Sequence, residues 1–285
     1  MNLYVTTDEI KTYLGISGSS SDAVLAMINK FATDDLNGIL SVTDLALHKV
    51  SGEVHNGGTD RLELRDLHVQ AIGDLYEDED TLYEQDDAYD IDNYVLHLDD
   101  GLTGGEREVT IDYVSGWNAS GYATITVTDY ANLAAAATVI LGATPSAGGG
   151  TVTRGTDWTA GADNDEEATN LAAAIDALTN VRAFALQNVV YVVDDYQAQA
   201  TGRTLATSDS VRLAKSASTL AGVDFPEGIR GAVLLLIAGR FAKRKNARVQ
   251  SYSIGSKSVT FASDADAADF KTAISHYKRA KLHIV

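Results

Sequence analysis

The apolar residues of this chain change their spacing along its length, and each change limits what a segment can become. Up to about residue 40 they recur every three or four positions, which places them on one side of a helix. From about 42 to 114 they alternate, the pattern of a half-buried strand. After 121 the composition itself shifts to Ala, Thr and Gly, and beyond Pro226 helical spacing returns. A fold made of one element type is therefore excluded.

The first helix is marked at both ends. Thr6-x-x-Glu9 has the form of a capping box, Asp8 and Glu9 suit the positive end of the helix dipole, and Gly15 can close it. Ser21 and Asp22 can open a second helix, with Val24, Leu25, Ile28, Phe31, Ala32 and Leu36 read as one face. Leu62 and Leu64, then Tyr94, Leu96 and Leu98, then Val109, Ile111 and Tyr113 alternate as strand residues do, separated by turns at "HNGGTD" (55–60) and "DDGLTGGE" (99–106). These predict a small antiparallel sheet.

Residues 121–223 open with the strand-like "YATITVTDY" and pass a Gly-rich "ATPSAGGGT". A helix follows in "DNDEEATNLAAAIDAL", with Leu171, Ala174, Ile175 and Leu178 as its stripe, then strand candidates "VRAFAL" and "NVVYVVDDY". Pro226 suits a first helical turn, and Ile229, Val233, Leu236, Ile237 and Arg240 follow at helical spacing. Ser263-x-x-Asp266 suggests the cap of a last helix bearing Phe270, Ile274 and Tyr277. The expectation is an α+β chain: a helical bundle core with a small antiparallel sheet, discontinuous over 1–120 and 224–285, plus an inserted small α/β domain at 121–223.

With 285 residues, 45% of them hydrophobic, the chain can form about two domains with cores. It has no cysteine, which removes disulfides, thiolate metal sites and thiol nucleophiles. "MNLYVTTDEIKTYLG" lacks a basic head and apolar run, and no stretch approaches the ~20 apolar residues of a membrane span. A soluble chain without signal peptide or membrane contact is expected. Its net charge of -18 is unevenly placed: residues 1–120 carry -19, residues 121–223 carry -5 and residues 224–285 carry +6. Such asymmetry suits contact between unlike surfaces.

The order of elements resembles the head-tail connector, or adaptor, proteins of tailed bacteriophages. The stretches that carry the resemblance are "TTDEIKTYLGI", "SDAVLAMINKFATDDLNGIL", "HNGGTDRLELRDLHV", "EVTIDYVSGW" and "FPEGIRGAVLLLIAGRFAKRK", covering roughly 5–118 and 224–248. The chain departs from that pattern between Trp117 and Phe225, where a compact adaptor runs almost directly from the bend to the Pro-led helix. That insert, through "GTDWTAGADNDEEATNLAAAIDAL", "NVVYVV" and "TGRTLATSDSV", is similar to small domains of phage tail and virion proteins. The resemblance implies a structural virion protein at the neck, made in the host cytoplasm, forming a homo-oligomeric ring of about twelve copies. Such a ring sits between the portal protein and the stopper or tail proteins, and DNA passes through it without specific binding. It implies no enzyme activity and no cofactor. A second reading, from another class, is a carbohydrate- or surface-binding tail or decoration protein, with the Tyr-rich acidic loop and the insert forming its site.

The resemblance sets the basic C-terminal part against the portal, and so nominates Arg240, Lys243, Arg244, Lys245, Arg248, Lys278, Arg279 and Lys281 as docking residues. Cations at a helix C-terminus also interact favourably with its dipole, by ~0.3–1 kcal/mol, so Lys243, Arg244 and Lys245 have a purely structural explanation as well. Gripping DNA is disfavoured, because the field of so acidic a chain opposes approach of phosphates. Glu77, Asp78, Glu79 and Asp80 either face the channel, repelling DNA, or form a solvated loop outside the ring.

Other chemistry finds little support. "DLYEDEDTLYEQDDAYDIDN" offers carboxylates but not the spacing of an EF-hand loop, and the six histidines are scattered without H-x-x-x-H spacing, so no metal site is expected. There is no G-x-S-x-G elbow, and "GATPSAGGGTVTRG" lacks the lysine and Ser/Thr of a phosphate-binding loop. Trp117 and Trp158 read either as core or as interface anchors.

Overall fold

The computed structural model describes residues 3–56, 61–77, 80–83, 89–92, 94–98, 108–118, 120–142, 148–194, 202–221, 225–245, 250–254, 257–261 and 264–277. The chain divides into two compact units, Met1–Leu45 with Asp224–Val285, and Ala46–Val223. The divisions fall at residues 45 and 223, whereas the sequence reading sets its first break near 120.

Among the described residues the discontinuous unit holds four α-helices, a hairpin and one 3-10 turn at Ser275–Tyr277. α1 (Thr7–Leu14) is capped reciprocally, Thr6 Oγ1 accepting the Glu9 N–H at 3.1 Å and Glu9 Oε2 accepting the Thr6 N–H at 2.6 Å. Gly15 closes it in the left-handed conformation, φ 63°, which costs glycine nothing. α2 (Asp22–Leu40) buries Leu25, Ile28, Asn29, Ala32, Thr33, Leu36, Ile39 and Leu40. Phe31 and Val24, assigned to that face from spacing, lie about 100–120° round the helix from Leu25 and fall outside it. Phe31 is exposed and Val24 half-buried.

α4 (Glu227–Lys245) begins on Pro226, whose carbonyl accepts the Ile229 and Arg230 N–H groups at 3.0 and 3.1 Å. It contacts α1, α2, the β16 strand (Lys257–Phe261) of the β15–β16 hairpin, and α5 (Asp264–Ile274). Ile229, Ala232, Val233, Leu235, Leu236 and Ile237 are buried on almost every side of α4, which its partners explain. The hairpin pairs β15 (Gln250–Ile254) with β16, and α5 contributes buried Phe270 and Ile274. The expected cap at Ser263 lies outside the described residues.

The continuous unit is mostly strand. β1 (His48–Asn56), β7 (Glu108–Ser115), β3 (Val69–Glu77) and β4 (Asp80–Tyr83) form one antiparallel sheet in the order β1-β7-β3-β4. β2 (Arg61–Glu63), β6 (Val95–Leu98) and β5 (Tyr89–Asp92) form a second. The alternating residues Leu62, Leu64, Leu96, Leu98, Val109, Ile111 and Tyr113 all enter one core with Val50, Val69, Ile72 and Leu75. A third sheet runs β11-β12-β8-β14, from Val181–Leu186, Val189–Asp194, Tyr122–Val127 and Leu213–Lys215, and a fourth runs β10-β9-β13, from Gly150–Thr153, Thr138–Leu141 and Leu205–Thr207. α3 (Asn164–Asp176) covers β11, β12 and β8, sending Ala168, Leu171, Ala172 and Ile175 into their core.

Leu47 and Val114 pack with Leu186, Tyr191 and Val193, so strands on both sides of residue 120 share a core. The chain is thus mixed and mostly strand, and the expected helical bundle core with one small sheet is overturned. Sixteen strands, in four sheets of three or four and a separate hairpin, outnumber five α-helices among the described residues. The pairings around α3 are antiparallel, so this part is not the expected α/β domain either. Strands of three or four residues hold at most two inward positions each, too few for alternation to register along the sequence.

Candidate functional site

The resemblance nominates the basic end, and α4 carries half of its residues. Two arginines of α4 reach back to the first helices: Arg230 pairs with Glu9 of α1, and Arg240 pairs with Asp35 of α2. The Arg240 guanidinium also lies 5.8 Å from the centre of the Phe31 ring, within range of cation–π attraction. Arg240 is therefore engaged inside its own unit. Lys243, Arg244 and Lys245 form the last turn of α4, at the negative end of the helix dipole, which favours cations. Arg248, Lys278, Arg279 and Lys281 lie outside the described residues. Glu77 and Asp80 are register partners at the end of β3 and the start of β4, and Asp78 and Glu79 between them lie outside the described residues.

The chain crosses between its units at Leu45/Ala46 and Val223/Asp224, and Tyr4 organises the side belonging to the discontinuous unit. Its hydroxyl lies 2.6 Å from Asp44 Oδ1 and 2.7 Å from Asn37 Oδ1 as donor, and accepts the Leu45 N–H at 2.8 Å. Its ring stacks on Phe225 at 4.9 Å. Burial, and then the negative charge of Asp44, raise the pKa of the phenol well above its ordinary value. Beside it the Val5 carbonyl accepts a hydrogen bond from Asn29 Nδ2 at 2.9 Å.

Buried polar groups in the continuous unit form three arrangements that spacing did not reveal. Glu167 is fully buried at the start of α3; Oε1 accepts Arg154 Nε and Trp158 Nε1, and Oε2 accepts Arg154 Nη2 and the Gly161 N–H, each at 2.8 Å. Arg154 also donates to the Leu133 and Tyr130 carbonyls. Burial alone would raise the Glu167 pKa, but the hydrogen bonds from Arg154, Trp158 and Gly161 outweigh it and hold the carboxyl below its ordinary value. Glu167 reads as one more acid in a helix's first turn; the available signal was its place four residues before Leu171 on the apolar stripe.

In the first sheet, Tyr113 donates to Glu53 Oε2 and accepts the Asp66 N–H at 3.3 Å. Burial would raise the Glu53 pKa, but hydrogen bonds from His55, Tyr113 and the Arg65 N–H bring it below its ordinary value. Burial, and then Glu53, push the Tyr113 phenol upward. Close by, His48 Nδ1 faces the Ala46 carbonyl at 2.8 Å and Nε2 faces buried Asp66 at 3.1 Å. The third arrangement sets Arg203 against Asp194, both buried, at 3.5 Å, with Arg203 also donating to the Gly142 and Asn180 carbonyls.

The Glu167 and Glu53 carboxylates accept several donors each, which suits holding loops to strands. Among the described residues no three His, Cys, Asp or Glu side chains are grouped so as to hold a metal ion, and no helix is long and apolar enough to cross a membrane. The exposed face of α2, with Met27 and Phe31, is a surface feature of the described residues. No protein-family model matches the chain, and no curated protein matches it.

Proposed function

We propose that this chain is a structural virion protein of a tailed phage. In this reading about twelve copies form a ring between the portal and the tail or stopper, prolonging the DNA channel and offering a docking platform. The ring performs no chemistry and needs no cofactor. The observation that supports the reading is the meeting of the two ends of the chain: Glu9 with Arg230 and Asp35 with Arg240 join three of the five stretches resembling adaptor proteins, those of α1, α2 and α4, into one compact unit. Lys243, Arg244 and Lys245 then close α4 as a cationic turn on an acidic chain, fit to orient a docking encounter.

The test images the purified chain by negative stain with and without portal, and measures portal affinity for wild type and for Lys243→Glu/Arg244→Glu/Lys245→Glu. A ring on portal is expected, with affinity lowered at least about tenfold in the variant and falling with added salt in the wild type. A monomer or trimer that ignores portal overturns the ring, and unchanged affinity in the variant overturns the docking turn.

A further inference from the structure

α2 buries one face within its unit and leaves apolar residues of the other exposed. Opposite the buried residues, Met27 and Phe31 stand one turn apart and expose 54% and 48% of their surface. Val24 is half-buried at their N-terminal side, and Ala23 continues the exposed row. A helix that keeps two large apolar side chains in water, four residues apart and at one level of exposure, presents a contact stripe rather than scattered surface residues. The charges around it add to nothing. Asp22 is paired with Lys11 at 2.7 Å, Asp35 is paired with Arg240, and exposed Lys30 and Asp34 contribute one charge of each sign.

On a chain of net charge -18 such neutrality selects the occupant. Most faces of such a chain meet a second copy acid to acid, whereas at this stripe the neighbouring charges cancel. A polyanion or a strongly basic partner gains nothing from the stripe, because no net charge attracts it. A second copy brings the same apolar pair with one lysine and one aspartate, so Lys30 of each copy can be matched by Asp34 of the other. We infer that the Met27–Phe31 stripe of α2 is a self-association surface, occupied by a second copy of this chain. Arg240 is its positioning residue, since it holds Asp35 and lies against the Phe31 ring, fixing that ring before contact. The inference rests on the reading above insofar as both require copies to associate.

The full chain is to be measured by sedimentation equilibrium across concentration, together with Met27→Glu, Phe31→Glu, Lys30→Glu and Lys30→Glu/Asp34→Lys. Both apolar positions are exposed, so unchanged circular dichroism and melting are expected for the variants. Association in the wild type should weaken at least about tenfold with Met27→Glu or Phe31→Glu. Lys30→Glu should weaken it less, and the charge swap should restore it, which contact with any other partner would not produce. A wild type monomeric up to about 100 μM, well above the Kd range of stable complexes, overturns the inference. So does association unchanged by Met27→Glu. Pairs that form through α2 but never close a ring on portal defeat the ring alone; a ring that Met27→Glu also forms defeats this surface alone.

Discussion

Replacing Glu167 by glutamine keeps the shape of the side chain and removes its charge. The carboxylate accepts four donors at 2.8 Å, two on each oxygen. In Glu167→Gln one of those oxygens becomes an NH2 group and turns a donor toward two donors, while the Arg154 guanidinium stays buried without its counter-charge. Removing one partner of a buried ion pair costs about 3–5 kcal/mol, chiefly through the charge left behind. For a unit of this size about 2–4 °C of melting temperature corresponds to each kcal/mol, so a fall of about 6–20 °C is expected. Trp117 and Trp158 are the only tryptophans of the chain and both belong to the Ala46–Val223 unit, so fluorescence-detected unfolding reads the affected unit directly. The acid limb carries a second signature. The folded Glu167 pKa lies below its unfolded value, so its stabilisation is complete above about pH 5 and is lost as the pH falls through the folded value. The glutamine variant should lack that component. Arg154→Met/Glu167→Leu removes both charges and should be more stable than Glu167→Gln. A glutamine variant melting within about 2 °C of wild type, or a double variant whose loss equals the sum of the single losses, would refute the reasoning.

Two further changes act on packing. Gly161→Ala would bring its Cβ to 2.3 Å from the Glu167 backbone nitrogen, closer than real atoms allow, so the loop above α3 must shift; a loss of about 1–3 kcal/mol is expected in chemical denaturation. Tyr4→Phe leaves Asp44, Asn37 and the Leu45 N–H without their common partner and should cost about 1–3 kcal/mol. Faster hydrogen exchange at the Leu45 amide, with the α1 amides unchanged, is the matching readout; equal protection of Leu45 in both proteins would contradict it.

Helix ends were legible because their causes are local. Thr6 and Glu9 sit three residues apart, Gly15 supplies the left-handed cap, and Pro226 opens α4 through its own carbonyl. Long alternations such as Val109, Ile111 and Tyr113 were legible for the same reason. The face of α2 was not, because three- and four-residue spacing tolerates residues on either side of the true stripe; Asn29 and Thr33 occupy the interior while Phe31 does not. The predominance of strands was hidden in segments such as Leu205–Thr207 and Leu213–Lys215, which become strands only through their neighbours β9 and β8. The change of composition at residue 121 marks no gap in packing, since Leu47 and Val114 meet Leu186, Tyr191 and Val193. Arg154 and Glu167 are thirteen positions apart, joined by tertiary geometry alone. Of the candidate docking cations, Arg240, Lys243, Arg244 and Lys245 fall on α4.

A single tyrosine touches Leu45 through its hydroxyl and Phe225 through its ring, so the departing and returning polypeptide are separated by little more than one side chain. Excursions rooted so closely can be lengthened, shortened or exchanged by recombination, because closing a loop over such a gap adds little entropy cost whatever its length. The residues from 46 to 223 are in that sense a cassette, carried between two ends that Tyr4 holds together.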